Sequence, residues 1–309
     1  MGGSGGGSYT DWNSEQLSRA VRNDAEKSAD EFDIILSEYL AELLGHFNGR
    51  DAQLTRERLD EAMNALKDEL QGSIDQLFGG SVAKHTFVDG LSDIDSLIVL
   101  DAANFVDQTP VAVIRKMANT LRANLPADVT VETGKMAVTL TYPDGMQIQL
   151  LPTLRRDTAL SVPSFMHEGW SEINPEGFQR ALVRRNAECG GKLVPTIKLA
   201  KAVIANLPEK YRLSGYHVES LAIGAFRDYE GVKTTSRMLP YFFDHCKDLV
   251  LAPIRDSTGQ SVHVDDYLGE QNSSIRQESS HLLAGIAKRM RNASAAQSKD
   301  GWTALFESE

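Results

Sequence analysis

The stretch that decides the fold is Gly79-Gly80-Ser81, followed by Gly90-Leu91-Ser92-Asp93-Ile94-Asp95 running straight into Ser96-Leu97-Ile98-Val99-Leu100. Eleven residues separate Ser81 from Asp93. Side chains alternate along a strand, so Asp93 and Asp95, two apart, share a face. Two crowded carboxylates repel unless a cation lies between them, and hard oxygen ligands favour Mg²⁺, with Mn²⁺ as the alternative. The glycine- and serine-rich turn upstream offers backbone N–H groups and a hydroxyl to a polyphosphate. These parts suit metal-assisted nucleotidyl transfer, in which charge on an α-phosphate is polarised and pyrophosphate leaves.

On either side of this stretch the texture changes. Residues 1–8, MGGSGGGS, have nothing to bury and read as a flexible leader. Phe32, Ile35, Leu36, Tyr39, Leu40 and Leu43 recur at helical steps within 14–46, and Leu59, Met63, Leu66, Leu70, Ile74 and Leu77 trace a second stripe up to Gly79-Gly80. Two long helices are expected there. Short apolar or β-branched runs at 96–100, 129–132, 137–142 and 147–151 read as strands, with Pro143-Asp144-Gly145 as a hairpin turn and a helix over 110–124. Beyond Pro152 strand signals fade. Segments 175–189, 193–206, 217–229, 237–251 and 273–296 carry helical patterns. The expectation is an α+β chain: a leader over 1–8, a mixed-sheet core with N-terminal helices over 9–158, and a helical domain over 159–309.

The chain has 309 residues, 41% of them apolar, enough for sizeable cores. Thirty-two Lys and Arg against 43 Asp and Glu give a net charge of −11, which argues against a general electrostatic grip on nucleic acid. No run of about 20 apolar residues is present to span a bilayer, and the start carries no basic-then-apolar signal segment, so no membrane partner and a cytoplasmic location are expected. Cys189 and Cys246 have no metal-ligand spacing and read as buried free thiols. The seven histidines show no HxxxH pairing. His217 reads as a structural histidine or as a lining of the nucleotide cleft, and Arg184, Arg185, Arg276, Lys288, Arg289 and Arg291 as solvated helix faces.

The Gly-Ser turn, the spacing and the Ser-Asp-Ile-Asp strand resemble the signature of the polymerase-β-like nucleotidyltransferase superfamily. A second set narrows it: Trp170, Asn174-Pro175, Gly190-Gly191-Lys192-Leu193-Val194-Pro195-Thr196-Ile197-Lys198-Leu199-Ala200-Lys201, and Leu213-Ser214-Gly215-Tyr216-His217-Val218-Glu219. In this order they resemble the cGAS/DncV-like nucleotidyltransferases of anti-phage signalling, the bacterial relatives of cyclic GMP-AMP synthase and oligoadenylate synthase. The resemblance covers the chain from about Ser14. It implies a polymerase-β-like core joined to a helical, oligoadenylate-synthase-like substrate-binding domain, with nucleotide in the cleft between them. It implies that Gly80 and Ser81 hold triphosphate, that Asp93 and Asp95 bind the ions, that Lys198 or Lys201 reaches phosphates, and that Tyr216 stacks on a base. Thr86, on the intervening loop, carries a hydroxyl that suits either the phosphates or a turn.

One position departs from that pattern. A third carboxylate is expected on a neighbouring strand, three residues before its proline, and Gln149 stands there. A carboxamide can ligate a metal through its oxygen but brings no charge and cannot take a proton as a carboxylate does. The chain works with two carboxylates and a carbonyl ligand, recruits another acid such as Glu132 or Asp144, or has lost turnover. The resemblance implies condensation of nucleoside triphosphates into a short, cyclic oligonucleotide messenger, with a downstream effector protein that binds the product, while the acidic balance and the missing zinc ribbon argue against activation by double-stranded DNA. The alternatives are a linear or end-adding nucleotidyltransferase and a non-catalytic nucleotide-binding sensor.

Overall fold

The computed structural model describes residues 31–46, 52–67, 75–77, 94–105, 107–164, 168–254 and 265–307. Helix α1 runs through 31–46 and α2 is Ala52–Lys67. The strands are β1 (Asp75–Leu77), β2 (Ile94–Asp101), β3 (Thr130–Thr133), β4 (Val138–Thr141), β5 (Gln147–Arg156), β6 (Ala159–Pro163) and β7 (Trp170–Ile173), with α3 (Pro110–Asn124) between β2 and β3. Helices α4 (Pro175–Glu188), α5 (Leu193–Ala205), α6 (Gly215–Ala225), α7 (Thr235–Leu249), α8 (Ser274–Ala295) and α9 (Lys299–Thr303) follow.

The sheet runs β1-β2-β5-β4-β3, with β6 on the far part of β5 and β7 on β6. Only the β2–β5 pair is parallel among these ladders. Helix α3 supplies the start of the crossover that a parallel pair requires. Its ends are written locally: Thr109 Oγ1 accepts from Ala112 N at 3.3 Å, and Pro110 follows at the first helical position. Val113, Ile114, Met117 and Leu121 then lie on one stripe, buried against Ile98, Leu100, Val138, Leu140, Ile148 and Leu150 of the sheet and Leu59 and Leu66 of α2. The hairpin expected at Pro143-Asp144-Gly145 closes with Gly145 N donating to Tyr142 O at 2.9 Å, and Gly145 has φ +85°, open to glycine.

The second core is helical. Phe178, Leu182, Ile197, Ala200, Leu221, Phe242, Phe243, Ile286, Met290 and Trp302 gather there, and Leu36 and Leu40 of α1 join them rather than the sheet. Asn174 caps α4 through Oδ1, which accepts from Gly177 N at 2.9 Å, with Pro175 next. Cys189 and Cys246 are buried free thiols.

Three expectations are corrected. The helical stripe drawn through Leu77 does not reach it: beyond α2 (Ala52–Lys67), Gln76 and Leu77 pair antiparallel with Ile98 and Leu97 as a strand. Leu70 and Ile74 lie outside the described residues. A few apolar residues at three- and four-residue steps fit a short strand equally well, and the open edge of β2 decides between them. Strand structure also continues beyond Pro152, through β5 to Arg156 and on into β6 and β7. Its proline sits opposite Ile98 without ending the strand. Finally, Arg276 is fully buried and Arg185 nearly so, not solvated. Each has an acceptor from a distant segment that a helical wheel cannot reveal: Arg185 Nη1 donates to Arg227 O at 2.7 Å, and Arg276 to Asp265.

Candidate nucleotide site

On β2 and β5 the register is residue for residue: Asp95 pairs with Gln149, Ser96 with Leu150 and Leu97 with Leu151. On the other side of β5, Gln149 pairs with Thr139 of β4, and Thr139 with Glu132 of β3. Positions 95, 149, 139 and 132 therefore form one row across four strands. Directly opposed residues share a sheet face. Gln149 and Thr139 are half-buried and Glu132 exposed, while Ile148, Leu150, Val138, Leu140 and Val131 on the other face are buried in the core. Period-two alternation thus turns Gln149 away from the apolar core.

This row bears on the acids that could replace a third carboxylate. At about 4.8 Å between strands, Glu132 is some 14 Å from the row position of Asp95, too far for the two to meet on one ion. Asp144 is committed elsewhere. Its Oδ1 accepts from Arg58 Nη1 at 2.9 Å and from Met146 N at 3.1 Å, and the Arg58 hydrogen bond, ahead of the backbone one, holds its carboxyl below the usual range. Gln149 is in register with Asp95 on the adjacent strand.

A donor set of carboxylates at 93 and 95 with a carboxamide oxygen at 149 fits a hard divalent cation in ligand type. Among the described residues no group of three or more His, Cys, Asp or Glu is gathered to hold a metal. Asp93, Gly80, Ser81 and Thr86 lie outside the described residues.

Lys198, Lys201 and Tyr216 are brought together by α5 and α6. Lys201 is 7% exposed and its Nζ donates to Glu219 Oε1 at 2.8 Å. Lys198, one turn earlier, is half-buried; burial first, and the Lys201 charge second, lower its pKa. Tyr216 lies in the first turn of α6 with its ring 4.6 Å from that of Phe178, tilted by 43°.

The start of α6 is tied into a buried network. Ser214 caps it, its Oγ accepting from His217 N at 3.2 Å, and Ser214 N donates to Tyr267 Oη at 2.9 Å. His217 Nδ1 shares a 2.8 Å hydrogen bond with the same phenol oxygen. His217 is fully buried, and the cost of charging it there pulls its pKa down to about 4, against the opposing pull of Asp265. The 3.7 Å separation of Nε2 from Asp265 Oδ2 is therefore no salt bridge at neutral pH. Asp265 is neutralised instead by Arg276, whose Nη1 donates to Oδ2 at 2.6 Å and to Val250 O at 2.9 Å. Burial pushes the Tyr267 phenol up to about 12. Of the two readings for His217, the structural one describes its surroundings.

Sequence reasoning missed Glu219 and Tyr267. A usable signal existed for Glu219, a lone charge among the uncharged, mostly apolar residues from Val218 to Ala225, which demands a buried partner. None existed for Tyr267, which lies 53 residues from Ser214.

Residues 36–186 match the model of the Second Messenger Oligonucleotide or Dinucleotide Synthetase (SMODS) domain. Over that stretch the chain is similar to the second-messenger synthetase domain of the cGAS/DncV-like nucleotidyltransferases. Among solved structures, CdnG of Bradyrhizobium diazoefficiens in complex with GTP has a TM-score of 0.66 at 16% identity, covering 88% of this chain and 98% of that one. CdnC of E. coli MS115-1 with ATP gives 0.62 at 15% identity, covering 82% and 90%. Vibrio cholerae DncV cyclic AMP-GMP synthase in complex with a linear intermediate gives 0.59 at 10% identity, covering 96% and 90%. The polymerase-β-like fold of these CD-NTases is shared along nearly the whole chain. No curated protein sequence matches it. Among the described residues no helix is long and apolar enough to cross a membrane.

Proposed function

We propose that the chain condenses nucleoside triphosphates into a short, cyclic oligonucleotide second messenger, releasing pyrophosphate. The observation that supports this reading is the register of Asp95 with Gln149, which pairs the motif strand with the residue that the resemblance puts in the third-carboxylate position, in a chain similar to the SMODS domain over residues 36–186. In the reaction a ribose hydroxyl oxygen of one nucleotide forms a bond to the α-phosphorus of another, and the bond to the bridging oxygen of the β-phosphate breaks. A divalent cation, Mg²⁺ or Mn²⁺, held by Asp93, Asp95 and the Gln149 oxygen, would offset triphosphate charge and favour the deprotonated hydroxyl.

The chain's own residues supply the rest. The ammonium groups of Lys198 and Lys201 offer point charges to a triphosphate, with Gly80 and Ser81 adding backbone and hydroxyl donors. Tyr216 offers a ring face to a base. Gln149 can accept a hydrogen bond from the attacking hydroxyl but cannot remove its proton, which passes to a carboxylate or to solvent. By the family resemblance the product goes to a separate effector protein in the cytoplasm, in defence against phage. Activation by double-stranded DNA is not part of this reading, given the net charge of −11.

A second reading has a specific observation in its favour. Gln149 lies in the row of Asp95 itself, so the missing charge falls within the site. A sensor that binds nucleotide without turnover has that property.

Incubating the purified chain with all four ribonucleoside triphosphates, and separately the deoxy set, in Mg²⁺ or Mn²⁺ tests both. Phosphatase-resistant products that vanish in Asp93→Ala/Asp95→Ala are expected. Linear products would indicate an end-adding or oligomer synthetase. Tight nucleotide binding without product, from both the parent and Gln149→Glu, would establish the sensor.

A further inference from the structure

Lys201 and Glu219 form an ion pair across α5 and α6, 2.8 Å apart, with 6% and 2% of their side chains exposed. Burying both charges costs roughly what their attraction returns, and apolar residues of similar size commonly do as well. Stability alone does not account for the pair. Its location suggests another reason. A Cβ on Gly215 would stand 3.3 Å from Lys201 Nζ and 3.5 Å from Cε, so the ammonium lies against the first residue of α6. A helix N-terminus carries partial positive charge and repels a cation. Lys198, one turn away on α5, adds a second positive charge nearby; its pKa is lowered by burial first and by the Lys201 charge second. A lysine with four methylenes would ordinarily relieve this by swinging its head group to water. Glu219, one turn into α6 and itself 1% exposed, holds it in place.

We propose that Glu219 is a positioning residue that keeps the Lys201 ammonium fixed at the start of α6, where it and Lys198 meet the triphosphate. The inference rests on the nucleotidyltransferase reading. Glu219 contributes no contact to the phosphates. It acts through Lys201, and the bare Cα of Gly215 leaves the space that the ammonium occupies.

Binding of ATP and of inorganic tripolyphosphate to the full chain, measured by calorimetry beside thermal melts, tests this. Tripolyphosphate has no base, so it reports the phosphate site alone. Lys201→Met is expected to weaken tripolyphosphate roughly tenfold or more, Glu219→Gln by a similar factor, and the double variant no further than Lys201→Met. Glu219→Asp, which keeps the charge, is expected to recover part of the loss. Losses that multiply in the double variant, or Glu219→Gln binding at parental affinity, would overturn the proposal while leaving Lys201 as a phosphate ligand. Parental affinity in Lys201→Met would overturn the Lys201 assignment with it, and no binding by the parent would overturn the underlying reading. Should Glu219→Gln not fold, Lys201→Arg/Glu219→Asp, which preserves both charges with altered reach, takes its place and is expected to bind more tightly than Lys201→Met.

Discussion

Gln149 of β5 is the direct cross-strand partner of Asp95 of the parallel strand β2. A neutral carboxamide thus occupies the row position beside the strand motif, and the consequence is chemical rather than architectural. Gln149→Glu restores a group that can accept a proton at nearly unchanged side-chain length. Turnover is expected to rise by about 10²-fold, the lower end of what general acid–base groups contribute. Product formation at saturating triphosphate checks this. Equal rates would mean that the glutamine is a working ligand.

Lys198 has its pKa lowered by burial and by Lys201, so its charge is lost at a pH below that of a free lysine. Its contribution to triphosphate affinity is therefore present at neutral pH and falls as the solution becomes alkaline. Affinity measured across pH should decline earlier for the parent than for Lys198→Arg, whose guanidinium stays charged.

The ring of Tyr216 rests on that of Phe178 at 4.6 Å. Tyr216→Ala is expected to cost about 1–3 kcal/mol in nucleotide binding, and Tyr216→Phe little, because stacking uses the ring face and not the hydroxyl. Tripolyphosphate affinity should be unchanged in both. A loss there would mean that the tyrosine contacts phosphate.

His217 is buried neutral, with a folded pKa of about 4 against 6.5 when unfolded. Between these values the unfolded chain binds more protons, so stability rises with pH from about 4 to 6.5 and is then level with respect to this group. The full effect is of order 3 kcal/mol. Urea unfolding across that window should show a shallower pH slope in His217→Gln than in the parent.

Arg276 and Asp265 are both fully buried, and the guanidinium also donates to Val250 O and Gly269 O. Asp265→Asn leaves the arginine charge uncompensated and is expected to cost about 3–5 kcal/mol. It should also loosen the start of α6, because Asp265 adjoins His217 and Tyr267. Denaturant unfolding gives the first quantity, and amide exchange at His217 the second.

Much of the local structure was legible in the residues themselves. Thr109-Pro110 and Asn174-Pro175 mark helix starts, because a cap needs only a side-chain oxygen and the next turn. Gln147-Ile148-Gln149-Leu150 shows its two faces by alternation alone, and Pro143-Asp144-Gly145 its turn. Leu77 was misplaced because a three-residue strand has too little sequence to display a period.

The amino-acid order by itself determined most of the classes of element, the strand bearing Asp95, and the glutamine where a carboxylate was expected. These are interactions between near neighbours in the chain, and periodicity records them. Tertiary structure alone decided that Asp95 faces Gln149 across a parallel ladder, that Glu132 is three strands away, that Glu219 fixes Lys201, and that Arg276 is buried on Asp265. Each of those joins residues brought together by register or helix packing. A charge inside a core is tolerated only once its partner has arrived from a distant segment, and that partner leaves no mark in the local pattern.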